Sequence, residues 1–364
     1  MLKPPDLSRV NNILLFTVLT GIVLYYGREF FILISFSGFL AMLMAPVSNV
    51  LERHHFNRIF SSIISVLIIV AFVAVIVSLL STQVVNVSDD FPQIKDRLEE
   101  SVDRVQSWIN NSLGINSDTL MKRASQAMSN VGGFITGIVK GTFSFIGGSF
   151  LVLVFTFLFL LQREKYEKFV IMLHPPEKRD EAKEVIFRIS RIAQHYLAGR
   201  LISILFLSIL YFAGFALIGL KNALLLSVLA AIVTFIPYIG PFVGGFIPFF
   251  MAIVSGSMNK ALLVVAIISV AQLLDNYFIE PYVVGGSVNI SPFFAIFILI
   301  LGGVVWGISG VILFLPLLGI LKIIFENTEG LKSYAYLIGD QRDSTAPEKI
   351  WQKIKNLFSR KKKS

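Results

Sequence analysis

Cysteine is absent from the 364-residue sequence, and charged residues are scarce. Without cysteine the chain has no disulfide framework, thiolate metal site, iron–sulfur cluster or cysteine nucleophile. Charged residues make up 15% of the chain and apolar residues 55%, whereas a soluble protein spends about a quarter of its residues on charge. This composition indicates an integral membrane protein and disfavours soluble enzyme folds.

Motifs of enzymes and nucleotide-binding proteins are also missing. The sequence has no HExxH, no GxxxxGK[ST], no GxGxxG after a strand and no GxSxG. Its formal charge of +9 would suit a nucleic-acid binder, but the basic residues lie in loops and at the chain ends. His54 and His55 are adjacent on a short basic loop with no further ligand near them in sequence, which favours solvent or headgroup contact over metal binding. We therefore expect a non-enzyme with no cofactor, no metal and no nucleic acid partner.

Charge-free stretches predict where the chain crosses a bilayer, because a charge at mid-membrane costs several kcal/mol. A helix needs about 20 residues to cross, and five stretches have the length of one crossing: Val10–Gly27, Phe30–Leu51, Ile59–Ser88, Gly141–Gln162 and Leu201–Leu220. Lys3 and Arg9 precede the first of these, and no cleavage site follows it. We therefore expect a retained helix and not a removed signal peptide.

Two longer charge-free stretches are predicted to be helical hairpins. Asn222–Asn259 has 38 uncharged residues and Pro281–Leu321 has 41, and each contains helix breakers near its middle. The breakers are Pro237, Gly240, Pro241, Gly244 and Gly245 in the first stretch, and Gly302, Gly303, Gly307 and Gly310 in the second. A single crossing from Ala261 to about Pro281 lies between them. The expected fold is an all-α polytopic membrane protein with five or six full crossings and two interrupted, re-entrant or spanning, hairpins.

Charge bias predicts the orientation and the segment boundaries. Cytoplasmic loops of membrane proteins are enriched in Lys and Arg, which places both termini of this multi-pass membrane protein in the cytoplasm. We divide the chain into N-terminal helices (1–88), an amphipathic extracytoplasmic segment (89–135), a fourth crossing (136–162), a cytoplasmic amphipathic helix (163–199), a hairpin region (200–325) and a basic tail (326–364). The amphipathic run after His174-Pro175-Pro176 is expected to continue into the Leu201 crossing as one long helix.

A polar stripe on the helix between the hairpins is the first candidate site. Gln272, Asp275, Asn276 and Glu280 fall on one face of an otherwise apolar helix. Such a stripe is expected to face a transport path and not lipid, because buried polar groups in membranes are costly. The alternative is that it lies at the headgroup level or ties helices together through hydrogen bonds.

The segment Ile236-Pro237-Tyr238-Ile239-Gly240-Pro241 is the second candidate. It stops a helix at mid-segment and frees backbone groups, which must then line protein or water. Secondary transporters use interrupted helices in this way to expose backbone groups to substrate. We therefore expect Pro237, Tyr238, Gly240 and Pro241 at the tip of the first hairpin, and Gly302, Gly303, Gly307 and Gly310 in the second. A plain loop between two full crossings would have a similar sequence.

In combination, several motifs resemble the AI-2E family of bacterial membrane proteins, which includes autoinducer-2 exporters and PerM-type permeases. The resemblance covers Phe30 to Phe325. It rests on Ala45-Pro46, Leu51-Glu52-Arg53, Phe159-Leu160-Leu161 before Arg163-Glu164, Tyr196-Leu197-Ala198-Gly199-Arg200, the Ile236–Pro241 segment, Asn276 with Ile279-Glu280-Pro281, and Gly302-Gly303 through Gly307, Gly310 and Leu315-Pro316-Leu317. The resemblance implies an inner-membrane transporter and a homo-oligomer, with five subunits.

Four functions remain open from the sequence. The first is export of a small polar solute, an autoinducer-2-type quorum-sensing signal, along a path lined by Gln272, Asp275, Asn276 and Glu280. The second is exchange of Na⁺ or Li⁺ for H⁺ at the same acids. The third is a membrane scaffold that transports nothing; a channel would be a fourth. The expected partners are the lipid bilayer, the solute and H⁺ or Na⁺.

Overall fold

The computed structural model describes residues 7–78, 150–236, 240–254, 258–279 and 289–340, and within these ranges every regular element is helical. The predicted extracytoplasmic segment 89–135, Pro237, Tyr238, Glu280 and the end of the tail lie outside the described residues. Five of the described helices are long and apolar enough to cross a membrane. This confirms the expected class, an all-α polytopic membrane protein.

The described helices are numbered in chain order. They are α1 (Leu7–Tyr26), α2 (Arg28–Arg53), α3 (Arg58–Ser78), α4 (Phe150–Leu161), α5 (Arg163–Met172), α6 (Arg179–Leu217), α7 (Ala223–Val233), α8 (Gly240–Val254), α9 (Met258–Leu274), α10 (Pro292–Trp306), α11 (Ile308–Glu326) and α12 (Lys332–Ile338). A short 3₁₀ turn, Pro176–Lys178, precedes α6, and a π-helical turn, Asp275–Ile279, follows α9. The single 39-residue helix α6 confirms the prediction of one long helix.

The chain forms two compact units. The first unit contains Met1–Ile32, Glu167–Tyr196 and Val284–Ser364, and the second contains Leu33–Tyr166 and Leu197–Val283. The early helices of the second unit pack through small hydroxylated side chains. These are Ser37 and Ser48 of α2, Ser61, Ser62 and Ser65 of α3 and Thr156 of α4, all fully buried. Small residues let helix backbones approach closely in lipid, where apolar side chains gain little from burial.

Two ion pairs connect α2, α3 and α5 near their ends. The Arg163 guanidinium donates to Glu52 Oε2 at 2.7 Å and to Ser48 Oγ at 3.0 Å. Arg58 pairs with Glu164 at 3.2 Å. Each pair joins residues that lie far apart in the sequence, so together they fix α2, α3 and the start of α5 relative to one another.

The first hairpin is built from α7 and α8 of the second unit. A Cβ atom added at Gly244 would lie 2.5 Å from the Ala230 carbonyl oxygen, and one at Gly240 would collide with the Val233 carbonyl. Glycine is therefore required for the close approach of the two arms. The arms have 11 and 15 residues. Because an α-helix rises about 1.5 Å per residue, each arm is shorter than the hydrocarbon core of a bilayer, which is about 30 Å thick.

The second hairpin is built from α10 and α11 of the first unit. Gly307 forms the turn with a φ of 62°, a conformation that favours glycine. A Cβ atom at Gly310 would collide with the Gly302 carbonyl, so the two glycines hold the arms together. Trp306 donates its indole N–H to the Leu24 carbonyl of α1 at 3.0 Å. The structure thus confirms that each of the two long charge-free stretches forms a pair of helices packed against each other, as predicted for helical hairpins.

Candidate functional site

One face of α6 carries polar side chains into the apolar core of the second unit. Arg200, Ser203, Leu207 and Tyr211 follow one another at spacings of three and four residues, which places them on one face of the helix. Their exposed fractions are 8%, 2%, 0% and 1%. Around Leu207 and Tyr211 the core is apolar and is formed by residues of α6, α7, α8 and α9.

Asp275 meets this face from the end of α9. Its side chain is buried, and its Oδ1 accepts a hydrogen bond from Ser203 Oγ at 2.6 Å. Arg200, about one turn before Ser203 on the same face of α6, is also buried. A buried acid in a membrane-spanning helix is costly unless it is hydrogen-bonded, and here α6 provides the donor.

A second hydrogen bond joins the same two helices about one turn before Asp275, within α9. Gln272 Nε2 donates to the Tyr211 hydroxyl at 2.8 Å. The Tyr211 ring stacks on Phe215, with ring centroids 5.8 Å apart and an interplanar angle of 11°. The phenol is therefore held in place by the apolar core, and its hydroxyl is presented to the amide of α9.

A π-helical turn, Asp275–Ile279, begins at the residue of α9 that reaches this cluster. A π turn closes i→i+5 hydrogen bonds, and such turns occur frequently at functional sites. Asp275, at the start of the turn, is buried, whereas Asn276, the next residue, is exposed. Consecutive residues of a helix point about 100° apart, so the packed face that contains Asp275 does not include Asn276.

The structure brings together part of the predicted stripe. Gln272 and Asp275 both contact α6, while Asn276 is exposed and Glu280 lies outside the described residues. Of the predicted tip of the first hairpin, Gly240 and Pro241 form the first turn of α8. The glycines of the second hairpin lie at its turn and between its arms, as described above.

Three residues of the cluster were missed by the sequence analysis: Arg200, Ser203 and Tyr211. The charge-free stretch was counted from Leu201, so that Arg200 was treated as the end of a loop. The signal that could have identified them is the recurrence of polar residues at helical spacing, at Arg200, Ser203 and Tyr211, within a single uninterrupted helix. In the described part of the chain, no three His, Cys, Asp or Glu residues come close enough to hold a metal ion.

The arrangement offers a cation, a carboxylate, two hydroxyls and an amide within the apolar core of the second unit, on α6 and α9. Such a set can exchange its internal hydrogen bonds for those of a small polar solute or an ion.

Comparison with known proteins gives consistent results. The sequence model described as AI-2E family transporter matches residues 14–330. YueF of Bacillus subtilis (strain 168), described as a presumed transport protein, is 25% identical over 307 residues, 80% of this chain and 82% of YueF. The AI-2 transport protein TqsA of Escherichia coli (strain K12) is 24% identical over 320 residues, 83% of this chain and 87% of TqsA. YhhT of the same strain, also a presumed transport protein, is 23% identical and spans 93% of this chain and 97% of its own length.

Proposed function

Because this chain belongs to the AI-2E transporter family, we propose that it exports a small polar solute of the autoinducer-2 type through the bacterial inner membrane. Support for this solute comes from the similarity to TqsA, which is named an AI-2 transport protein. Both termini would lie in the cytoplasm, as the charge bias of the loops predicts. With no nucleotide-binding motif in the sequence, transport would be driven by the solute gradient or by an ion gradient.

The observation that carries the proposal is the buried hydrogen bond between Ser203 and Asp275. Polar and charged groups inside membrane helices mark substrate and ion pathways, and here they come from two helices of the same unit. The hydroxyls, the amide, Arg200 and Asp275 would bind the hydroxyl and carbonyl groups of the solute. The cluster would then have to open during each transport cycle.

The short arms α7 and α8 support a re-entrant first hairpin. Neither arm alone has the length to cross a bilayer, and both pack against the core that holds Tyr211. In this proposal the hairpin and α9 move against the early helices α2 to α4, and the movement exposes the cluster to one side of the membrane at a time.

A second candidate is exchange of Na⁺ or Li⁺ for H⁺, and the buried carboxylate of Asp275 favours it. A carboxylate in a membrane helix can bind a proton or a sodium ion in turn. In this mechanism Asp275 binds the transported ion, whereas in the exporter it binds the solute or positions Ser203 and Arg200.

One experiment with purified protein in liposomes separates these functions. Internal pH and the efflux of labelled autoinducer-2 are recorded together, with and without an imposed proton or sodium gradient. Saturable efflux that Asp275→Asn weakens would support the exporter. Proton movement that needs Na⁺ or Li⁺ and ignores autoinducer-2 would support the antiporter. Absence of both fluxes, with the protein folded in the membrane, would support a scaffold and refute transport.

A further inference from the structure

A second polar site lies in the first unit, at the end of α11. A groove of about 630 Å³ is formed by the last turns of α11, by α12 and by residues on either side of them. Its polar lining consists of Asn289, Lys322, Glu326, Lys332, Tyr336 and Asp340. None of these residues belongs to the cluster between α6 and α9.

Charged side chains that are hydrogen-bonded to one another form the base of the groove. Lys322 Nζ donates to Glu326 Oε1 at 2.6 Å, and Arg188 of α6 donates to Oε2 of the same carboxylate at 3.0 Å. The Lys322 stem passes Gly339, where an added Cβ atom would lie 3.3 Å from Lys322 Cε. Because a glycine leaves room for the stem, the ammonium group is held in the groove and does not extend into solvent.

The lining of the groove carries two ammonium groups, Lys322 and Lys332, and two carboxylates, Glu326 and Asp340. Arg188 pairs with Glu326 from outside this lining. A purely anionic ligand would gain from the lysines but would be repelled by the carboxylates at close range. A ligand that carries one negative and one positive group matches this pattern better than an ion of either sign.

The groove lies where a bilayer would meet water. Helix α11 is long and apolar enough to cross a membrane, and it ends at Glu326, on the floor of the groove. Helix α12 follows within one short turn. It buries Ala335 and Ile338, while Tyr334, Tyr336 and Leu337 are more than half exposed. Tyrosine is enriched at the headgroup level of membranes, because its ring is apolar and its hydroxyl is polar.

We propose that this groove binds the headgroup of a phospholipid that carries a phosphate and a primary ammonium group, as phosphatidylethanolamine does. The phosphate would contact Lys332 and Lys322. The ammonium group, with three N–H donors, would contact Asp340 and Glu326, whose oxygens can each accept more than one hydrogen bond. A quaternary ammonium headgroup lacks these donors, and a phosphoglycerol headgroup lacks the cation. The acyl chains would extend beside the exposed apolar residues of α12.

The test measures lipid binding to the delipidated full-length protein in detergent, by native mass spectrometry. Dioctanoyl phosphatidylethanolamine, phosphatidylcholine and phosphatidylglycerol are titrated separately, together with glycerophosphoethanolamine, the soluble headgroup without acyl chains. Variants Lys332→Gln and Asp340→Asn each remove one charge from the lining. The control is Lys178→Gln, which removes an exposed lysine of the same unit that pairs with Glu329 outside the groove.

We expect phosphatidylethanolamine to bind about tenfold more tightly than the other two lipids, as one or two charged hydrogen bonds would provide. Lys332→Gln should weaken its binding about tenfold, and Asp340→Asn should abolish its preference over phosphatidylglycerol. Lys178→Gln should leave the affinity for phosphatidylethanolamine and the preference over phosphatidylglycerol unchanged. Equal affinity for the three lipids, or equal effects of Lys332→Gln and Lys178→Gln, would refute the proposal. Equally tight binding of the soluble headgroup would refute a lipid site and indicate a site for a soluble zwitterion.

Discussion

Replacement of Ser203 by alanine tests the buried cluster with the smallest chemical change. The substitution removes one hydroxyl, the donor to Asp275 Oδ1 at 2.6 Å, and leaves the charges of Arg200 and Asp275 in place. Ser203 is 2% exposed, so water has little access to replace the lost donor. The carboxylate would therefore lose a hydrogen bond without compensation.

The expected loss of transport rate follows from the type of hydrogen bond that is removed. Hydrogen bonds between neutral side chains in membrane helices average only about 0.6 kcal/mol, whereas bonds to charged groups contribute about 1.5–3 kcal/mol. The separation of 2.6 Å lies at the short end of the range of about 2.5–3.0 Å for O–H···O bonds, so we take about 1.5 kcal/mol, the lower limit for a charged partner. With the bond made in the rate-limiting, solute-bound state, its loss reduces the transport rate about tenfold.

The assay is the initial rate of labelled autoinducer-2 efflux from liposomes, with Ser208→Ala as the matched control. Ser208 lies on the same helix, but its hydroxyl donates to the Ile204 carbonyl of its own helix at 2.7 Å. Ser203→Thr retains a hydroxyl and should retain most of the activity. Equal rates for Ser203→Ala and Ser208→Ala would show that the bond to Asp275 has no part in transport.

Three further changes test other parts of the structure. If the protein is an antiporter, Asp275→Asn should abolish coupled proton movement. If it is an exporter, the same change should reduce solute efflux at least tenfold. Normal proton movement together with normal solute efflux would show that the cluster between α6 and α9 is not the transport site. Gly310→Ala should lower the thermal midpoint in detergent, because the new methyl group meets backbone, whereas Gly38→Ala, with no atom within 4 Å, should not. Glu52→Gln should destabilise the protein by about 1–3 kcal/mol through loss of the Arg163 pair, and a midpoint equal to the wild type's would contradict this.

The hairpins could be predicted from the sequence because their signal is local. A charge-free run much longer than one crossing, with glycine and proline near its middle, allows few other arrangements in lipid. The long helix α6 was predictable for the same reason, since an amphipathic pattern led without a breaker into an apolar stretch.

The cluster could be predicted only in part, because it depends on packing between helices that lie far apart in sequence. Gln272 and Asp275 stood out as polar residues in an apolar helix, but their partners Ser203 and Tyr211 are unremarkable within α6. Asn276 is exposed although it follows Asp275, because consecutive helix residues point about 100° apart and the packed face contains only one of the two. The groove beside α12 likewise brings residues 289 and 340 together, and no periodicity relates them.

Solute protection of a single cysteine tests the central claim, that the solute passes the cluster between α6 and α9, most directly. The chain contains no cysteine, so a Gln272→Cys variant that still transports carries the only thiol. Leu273→Cys, at an exposed apolar position of the same helix, is the control. The account predicts that a small water-soluble thiol reagent modifies the Gln272→Cys variant, and that saturating autoinducer-2 slows this modification but not that of Leu273→Cys. Modification of both variants at rates unaffected by the solute would contradict it.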